Sequence, residues 1–185
     1  MKKHAMNLTL SVLLLSCAGG AFAAGNSASV MVTGRVTDAT CDINTQGLTG
    51  NKLDLGSHFP GEFKDETTLV GTKSFGVGLS NCSGTESATK HYGLYVSGSS
   101  LAVNNKYFAD LPAQTVGIAL QSLIDPANPT LVPASGMFIP VSTSEKAETA
   151  DGQLVQFQAS MIHPLATAPR IQDVQGTIVF TADYQ

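Results

Sequence analysis

Several short stretches of the chain beyond residue 28 alternate between apolar and polar residues with a period of two. Its last stretch, GTIVFTADYQ, places Ile178, Phe180, Ala182 and Tyr184 on one face and polar residues such as Thr181 on the other. Successive side chains of a strand point to opposite faces, so this pattern predicts a half-buried strand. The apolar face continues to the second-last residue, where chains ordinarily fray. We therefore expect another segment to cover Tyr184.

The same alternation predicts seven short strands in all. The other six lie in VMVTGRVT, NKLDLG, KSFGVGLSNC, KHYGLYVSG, VGIALQSL and QLVQFQASMI. Clusters of Gly, Ser, Asn and Pro such as VSGSS and DPANPT separate them. Short strands with this spacing and these turn residues predict an all-β sandwich. A short helix is an alternative within NNKYFADLP.

The first residues have the composition of an export signal. Residues 1–23 begin with a basic pair, continue with an apolar run and end in Ala-Phe-Ala, so we expect cleavage before Ala24. A rival interpretation is a lipoprotein signal ending in Cys17, but Leu15 is bulky where a small residue is usual. The remaining length suits one domain, and no later stretch is apolar enough to span a membrane.

Charge argues against two classes of partner. The whole chain has 10 Lys and Arg against 14 Asp and Glu. Removing residues 1–23 takes away two lysines, which leaves eight basic residues and a net charge of −6. Nucleic acids and anionic lipids are normally bound by clustered Lys and Arg. We therefore expect no nucleic-acid partner.

Two cysteines, Cys41 and Cys82, remain after signal removal. An even pair in an exported chain predicts a disulfide. A bridge closing a loop of about forty residues stabilises a domain by roughly 4 kcal/mol in the chain-entropy estimate. The alternative, a redox-active pair, lacks the C-x-x-C spacing that such sites use.

Motifs of catalysis and metal binding are absent from the sequence. His58, His91 and His163 are far apart and show no metal-ligand spacing such as H-E-x-x-H. There is no G-x-S-x-G, and the acidic residues are scattered. We expect no catalytic residue, metal or cofactor.

Several motifs in order resemble one family. VTGRVTDATCDI, LDLG, FGVGLSNC, VGIAL, VQFQASMI and the final GTIVFTADYQ are similar to a fimbrial subunit of the chaperone-usher pathway, of the type 1 pilin kind. The most specific elements are two cysteines, one after a Gly-x-Val strand and one after a Phe-x-Val-x-Leu strand, and a penultimate tyrosine. The resemblance implies an incomplete immunoglobulin-like β-sandwich, completed by a donor strand from another subunit or a chaperone.

This resemblance also implies partners and a destination. The partners are a periplasmic chaperone, an outer-membrane usher and other pilin subunits, and the destination is a surface fimbrium reached through the periplasm. The resemblance further implies that another protein covers the last strand. The chaperone-facing positions would be Ile178, Phe180, Ala182 and Tyr184, with the carboxylate of Gln185 as an anchor.

The donor strand of this chain is expected in residues 24–33, ahead of a pilin domain at 34–185. Its donor face comprises Ala28, Val30 and Val32. These residues precede the first core strand without a turn, so we expect that the face does not fold back under its own domain. The alternative is a first edge strand of a complete sandwich.

Departures from the family pattern favour a minor or accessory subunit. Gln172 stands where a glycine is common, fourteen positions from the end, and Met161 stands where the sixth strand often has an aromatic. Two other functions remain open: a self-contained carbohydrate-binding sandwich and a secreted hydrolase of another type. The sequence has no Trp and only 6% aromatic residues, which disfavours sugar stacking.

Overall fold

The computed structural model describes residues 28–34, 41–83, 91–141 and 147–185, and the backbone alone for 28–34, 147 and 148. The expected signal peptide and the first four residues of the expected donor segment lie outside the described residues.

The described residues form twelve strands and one short helix. In chain order they are β1 (Ala28–Gly34), β2 (Asp42–Gln46), β3 (Lys52–Gly56), β4 (Leu69–Ser80), β5 (Tyr92–Gly98), β6 (Ser100–Leu101), β7 (Asn104–Phe108), β8 (Gly117–Ser122), β9 (Thr130–Val132), β10 (Met137–Pro140), α1 (Ala147–Ala150), β11 (Leu154–Ile162) and β12 (Val174–Tyr184). A single 3-10 turn at Pro60–Glu62 follows β3.

These strands form two sheets whose inner faces share one core. The first sheet has the order β10-β5-β12-β1-β3, and the second has the order β2-β4-β11-β8-β7-β6, with β9 paired to β8. Strands of both sheets contribute to a single cluster of buried side chains. The all-β, immunoglobulin-like sandwich expected from the sequence is thereby confirmed.

Three phenylalanines hold the sheets together at the centre of this core. Phe75 of β4 and Phe157 of β11 are opposite each other in the second sheet, with ring centroids 5.6 Å apart. Phe180 of β12 meets both rings from the first sheet, at 6.0 Å and 5.1 Å. All three side chains are almost fully buried. The inward face of the last strand is therefore part of the domain's own core.

A disulfide joins Cys41 and Cys82, as predicted. Cys41 directly precedes β2, and Cys82 lies just beyond β4, the strand with which β2 pairs through Asp42 and Ser80. The Cα atoms of the two cysteines are 4.0 Å apart. The bridge therefore fastens the start of β2 to the end of its neighbouring strand.

All seven predicted strands are present in the described residues, and only the last three residues of VMVTGRVT and the first residue of KHYGLYVSG lie outside them. The helical alternative in NNKYFADLP is wrong. Asn104–Phe108 is strand β7, because Phe108 points inward, is fully buried and pairs with Ile118 of β8. Five further strands, β2, β6, β7, β9 and β10, were not predicted, and each has only two to five residues. Short strands with little burial leave too few alternating positions for the pattern to be recognised.

Candidate functional site between the third and last strands

The last strand directs its apolar residues into the domain. Ile178 and Phe180 are fully buried, and Ala182 is 8% exposed. The ring of Tyr184 is partly buried against Tyr92 of β5, with centroids 4.7 Å apart. The apolar face of β12 is therefore buried within the chain's own domain. Tyr92 therefore covers part of Tyr184 within the chain, whereas the resemblance implied that another protein covers it.

One edge of β12 is occupied by β1 of the same chain. The two strands pair in parallel, from Ala28 opposite Val174 to Gly34 opposite Phe180. The expectation that residues 28–32 do not fold back under their own domain is therefore wrong. Strands that pair in parallel are not joined by a hairpin. The absence of a turn after β1 therefore did not prevent its pairing with β12.

On its other side β1 pairs with β3, so β1 is the only strand between β3 and β12 in this sheet. This pairing is antiparallel, with Val30 opposite Leu53 and Met31 opposite Lys52. Strands in a sheet lie about 4.8 Å apart, so a vacant position here would separate the two edges by roughly 10 Å. We call this position between β3 and β12 the slot.

The slot has apolar walls and an aromatic floor. Its walls are the buried residues of β3 and β12, and its floor is the opposing sheet, which contributes Phe75 and Phe157. The wall residues are Leu53, Leu55, Val174, Ile178 and Phe180, and all of them are no more than 6% exposed. A strand entering the slot must therefore present apolar residues on its inward face.

The opposite edge of β12 is closed by side chains where β5 does not reach it. Pairing with β5 begins only at Ile178. Before that point Asp110 accepts hydrogen bonds from the backbone N–H and hydroxyl of Thr177, at 3.1 Å and 2.7 Å. Its own N–H donates to the carbonyl of Gln175 at 2.9 Å. The first half of β12 is thus fixed on that side, and its other edge borders the slot.

A glycine lets this half of β12 approach the second sheet closely. A Cβ atom at Gly176 would lie 3.1 Å from Cγ1 of Ile118 and 3.2 Å from Cβ of Phe108. Such distances require the neighbours to shift by a few tenths of an ångström. Glycine at this position therefore sets the depth of the slot near its start.

The end of the last strand continues its ladder with β5. The N–H of Gln185 donates to the carbonyl of His91 at 3.1 Å, and the N–H of His91 donates back to the carbonyl oxygen of Gln185. Together with the ring contact between Tyr184 and Tyr92, this pairing places Gln185 beside the start of β5. The proposed anchor thus lies at a defined position, next to the expected chaperone-facing strand.

A contact between His58 and Glu62, which we call the clamp, lies just beyond the end of β3. Nδ1 of His58 lies 2.9 Å from Glu62 Oε2, and its Nε2 lies 3.0 Å from the carbonyl oxygen of Leu55. The hydrogen bond with Glu62 raises the pKa of His58. The pKa of Glu62 is lowered, first by the N–H of Phe59, which donates to it at 2.7 Å, and then by His58. The pair therefore forms an ionic contact once His58 is protonated.

Two residues that depart from the family pattern have clear structural roles. Gln172 accepts a hydrogen bond from the N–H of Thr115 at 2.8 Å and donates to its hydroxyl at 2.9 Å. Met161 is 4% exposed and lines an apolar pocket with Phe63 and Ile171 near the start of β12. Sequence reasoning noted both residues as differences but missed these contacts, because a single glutamine carries no signal of its partner.

His58, His91 and His163, the histidines of the described residues, form no metal site. His163 is buried at the end of β11, with Nδ1 2.9 Å from the carbonyl oxygen of Thr115. Within the described residues no group of three His, Cys, Asp or Glu side chains is arranged to hold a metal ion. In the same part of the chain, no helix is long and apolar enough to cross a membrane.

Comparison with known proteins identifies the family. The family model described as "Fimbrial protein" matches residues 30–185, which include the slot, the disulfide and both sheets. No curated protein matches the chain. Since the match extends over well more than half of the sequence, the chain belongs to the fimbrial protein family and is a pilin subunit.

Proposed function

We propose that this pilin is a structural subunit of an adhesive surface fimbria and is assembled by donor-strand exchange. In the periplasm a chaperone strand fills the slot. At an outer-membrane usher the N-terminal extension of another subunit replaces it. The role requires no catalysis and no cofactor.

This proposal rests on the origin of the strand that fills the slot. Every other strand of the first sheet lies within residues 52–184, whereas the strand in the slot comes from the segment that precedes Cys41. A strand whose sheet neighbours are β3 and β12 adds backbone pairing on both of its edges. An equivalent strand from another chain can make the same backbone pairing, because ladder hydrogen bonds do not depend on side-chain identity.

Register supports the assignment of the donor face. Ala28, Val30 and Val32 lie opposite Val174, Gly176 and Ile178, which occupy the inward face of β12. Burying a valine side chain contributes about 1.5–3 kcal/mol. Two valines in this register would therefore supply much of the side-chain contribution of a donor strand.

The far end of β12 supports the chaperone contact. Tyr184 is only partly buried, and Gln185 is exposed beyond it. A chaperone strand that pairs with the edge of β12 would pass Ile178, Phe180, Ala182 and Tyr184, and basic residues of the chaperone would bind the carboxylate of Gln185. An edge with apolar neighbours favours this addition of a strand.

The position in the fibre is proposed to be minor or accessory. Gln172 links the segment before β12 to Thr115, where the common glycine has no side chain to do so. Electron microscopy of fibres with a tagged chain tests this directly. Sparse or end-localised gold label supports an accessory position, and continuous label along the fibre contradicts it.

Deletion of residues 24–33 tests donor-strand exchange. Because the chaperone contact uses the slot and β12, we expect the shortened subunit to be recovered in complex with its chaperone. In fibres that resist dissociation in detergent, the shortened subunit should not occupy a position where it has to donate a strand to a neighbouring subunit. Incorporation with unchanged efficiency at an internal position would contradict the proposal.

Substitutions provide the matched control. Val30→Asp and Val32→Asp would place a carboxylate at positions opposite the inward face of β12, where it has no partner. Met31→Asp changes the charge equally, but Met31 lies opposite Thr177, whose side chain bonds to Asp110 on the other face. We expect fibre incorporation to fall sharply for the first two variants and to remain largely intact for the third.

A further inference from the structure

Two exposed apolar side chains lie at the end of the domain where β12 begins, which we call the first end. Phe59 and Ile171 are 78% and 75% exposed. Phe59 belongs to the loop after β3 and Ile171 to the loop before β12, and these two loops line one small pocket together with Val174. Exposed apolar patches commonly mark surfaces that contact another protein.

An apolar groove lies where β11 begins. Its volume is about 230 Å³, against about 30 Å³ for the pocket at the first end. Among its lining residues, Ile124 and Leu154 are 57% and 39% exposed. The groove also includes Pro140, Val141, Gln153 and Gln156. It therefore has room for a side chain, which the pocket at the first end lacks.

Strand register places this groove at the end of the domain where β12 ends, which we call the second end. Pro140 of the groove lies opposite Gly93 of β5, and Gly93 lies opposite Asp183 near the end of β12. The strand β12 has 11 residues, and it extends for roughly 35 Å at about 3.3 Å per residue. The exposed side chains and the groove thus lie at opposite ends and do not meet within one chain.

The donor segment joins the rest of its domain at the second end. It leads to Cys41, which is bonded to Cys82 just beyond β4. The end of β4 lies beside the start of β11, where Gly78 is opposite Leu154 of the groove. Residues 35–40 alone separate Gly34 from Cys41, and seven extended steps reach at most about 25 Å. A subunit whose strand fills a neighbour's slot therefore keeps its own second end close to that neighbour.

The direction in which the donor strand enters decides which end of the neighbour it approaches. Entry parallel to β12 would bring the donor's second end to the neighbour's second end, from which the neighbour's own donor segment leaves. Entry antiparallel to β12 places the last donor residue beside the start of β12, at the neighbour's first end. Each subunit then uses each of its ends once, and head-to-tail contacts of this kind continue into an open filament.

We propose that the groove at the second end of each subunit receives Phe59, flanked by Ile171, from the first end of the subunit that accepts its strand. The inference rests on the proposed donor function and adds to it a second contact, between the folded domains. Such a contact fixes the relative orientation of neighbouring subunits and stiffens the fibre at each joint.

Engineered cysteines in assembled fibres test which ends meet. Fibres of the full chain with Phe59→Cys and Ile124→Cys, treated with a short bismaleimide, should give a covalent ladder of multimers in denaturing gels. A link within one chain is excluded because the two ends lie too far apart. The matched control is Ser74→Cys with Ile124→Cys, since Ser74 is exposed in the middle of β4. This pair should give no ladder.

Absence of a ladder from the first pair, or an equal ladder from the control, would overturn the proposal. Dimers from Ile124→Cys alone would also overturn it, because they would show that two second ends meet. Electron microscopy gives a second measurement. Fibres of Phe59→Ser should have a shorter persistence length than unmodified fibres, whereas those of Ser74→Ala should not. Both residues are exposed, so thermal melting of the subunits should be unchanged, and equal stiffness of all three fibres would contradict the contact.

The variant Val30→Asp separates this inference from the donor function on which it rests. If fibres form normally with Val30→Asp, the donor function fails, and the ladder in these fibres still reports whether the ends meet. If fibres require Val30 but the cysteine pair gives no ladder, strand exchange stands and the contact between ends fails. Loss of fibres with Val30→Asp, together with a ladder when Val30 is retained, supports both.

Discussion

The ring of Phe180 lies 5.1 Å from that of Phe157 and meets it nearly edge-on, at an interplanar angle of 65°. This contact joins the last strand of the chain to β11 in the opposite sheet. It shows that the strand beside the slot is held by the core and is not a loose terminus. The strand exchange proposed above would therefore take place next to a neighbour that remains in place.

Removal of this ring should strongly destabilise the domain. Phe180 is fully buried, and truncation of a buried phenylalanine to alanine costs about 3–5 kcal/mol. We expect Phe180→Ala to lower the free energy of unfolding by this amount in urea titrations followed by circular dichroism. Thr181→Ala, on the outer face of the same strand, should change it by less than about 0.5 kcal/mol. Similar losses for both variants would contradict the inward orientation.

The disulfide should matter for stability and not for redox chemistry. Cys41 and Cys82 are 41 positions apart, and the chain-entropy estimate for a loop of this size is roughly 4 kcal/mol. We expect Cys82→Ser to lower the melting temperature and the yield of exported subunit. Cys17→Ser is the matched control, because this cysteine belongs to the expected signal peptide. A Cys82→Ser subunit that melts at the temperature of the unmodified subunit would contradict a structural role.

The fold was largely predictable because the long strands alternate over many residues. β4, β5, β11 and β12 have seven to twelve residues each, with clear apolar faces. The strand β7 was not predictable, since Asn104, Asn105 and Lys106 give it no apolar face until Phe108. Burial of the Phe108 ring and its pairing with Ile118 of β8 stabilise a strand that these polar residues alone do not favour.

The slot was predicted only in part. The alternation of Ala28, Val30 and Val32 indicated a strand with one apolar face, and the structure has a strand there. The identity of its partner could not be derived, because alternation specifies a face and not the neighbouring strand. Pairing of β12 also involves residues far apart in the sequence, since Asp110 binds Thr177 and closes the opposite edge of β12.

Tyr184 should contribute more to the chaperone complex than its outward neighbours do. Its ring packs on Tyr92 at the end of β12. We expect Tyr184→Ser to weaken the complex with the chaperone by about tenfold, which corresponds to 1.4 kcal/mol, in pull-down titrations of periplasmic extract. Thr181→Ser, on the opposite face of β12, should leave the affinity within twofold. An equal effect of both substitutions would argue against the proposed contact face.

The clamp between His58 and Glu62 should make stability depend on pH in a defined direction. The pKa of His58 is raised, so the contribution of its charge is present at low pH and is lost as the pH rises through this raised value. The pKa of Glu62 is lowered, so its contribution is lost only when the pH falls through that lowered value. The ionic contact therefore stabilises the domain in the window between the two pKa values.

Melting curves measured from about pH 8 to about pH 5.5 cross the ordinary histidine range. Over this interval the unmodified subunit should gain stability relative to Glu62→Gln as the pH falls, because His58 becomes charged while Glu62 stays ionised. Glu66→Gln is the matched control, since Glu66 is an exposed carboxylate four residues further along the chain. Its melting temperature should follow that of the unmodified subunit at every pH. Parallel curves for Glu62→Gln and the unmodified subunit would show that the clamp at the end of β3 does not respond to protonation of His58.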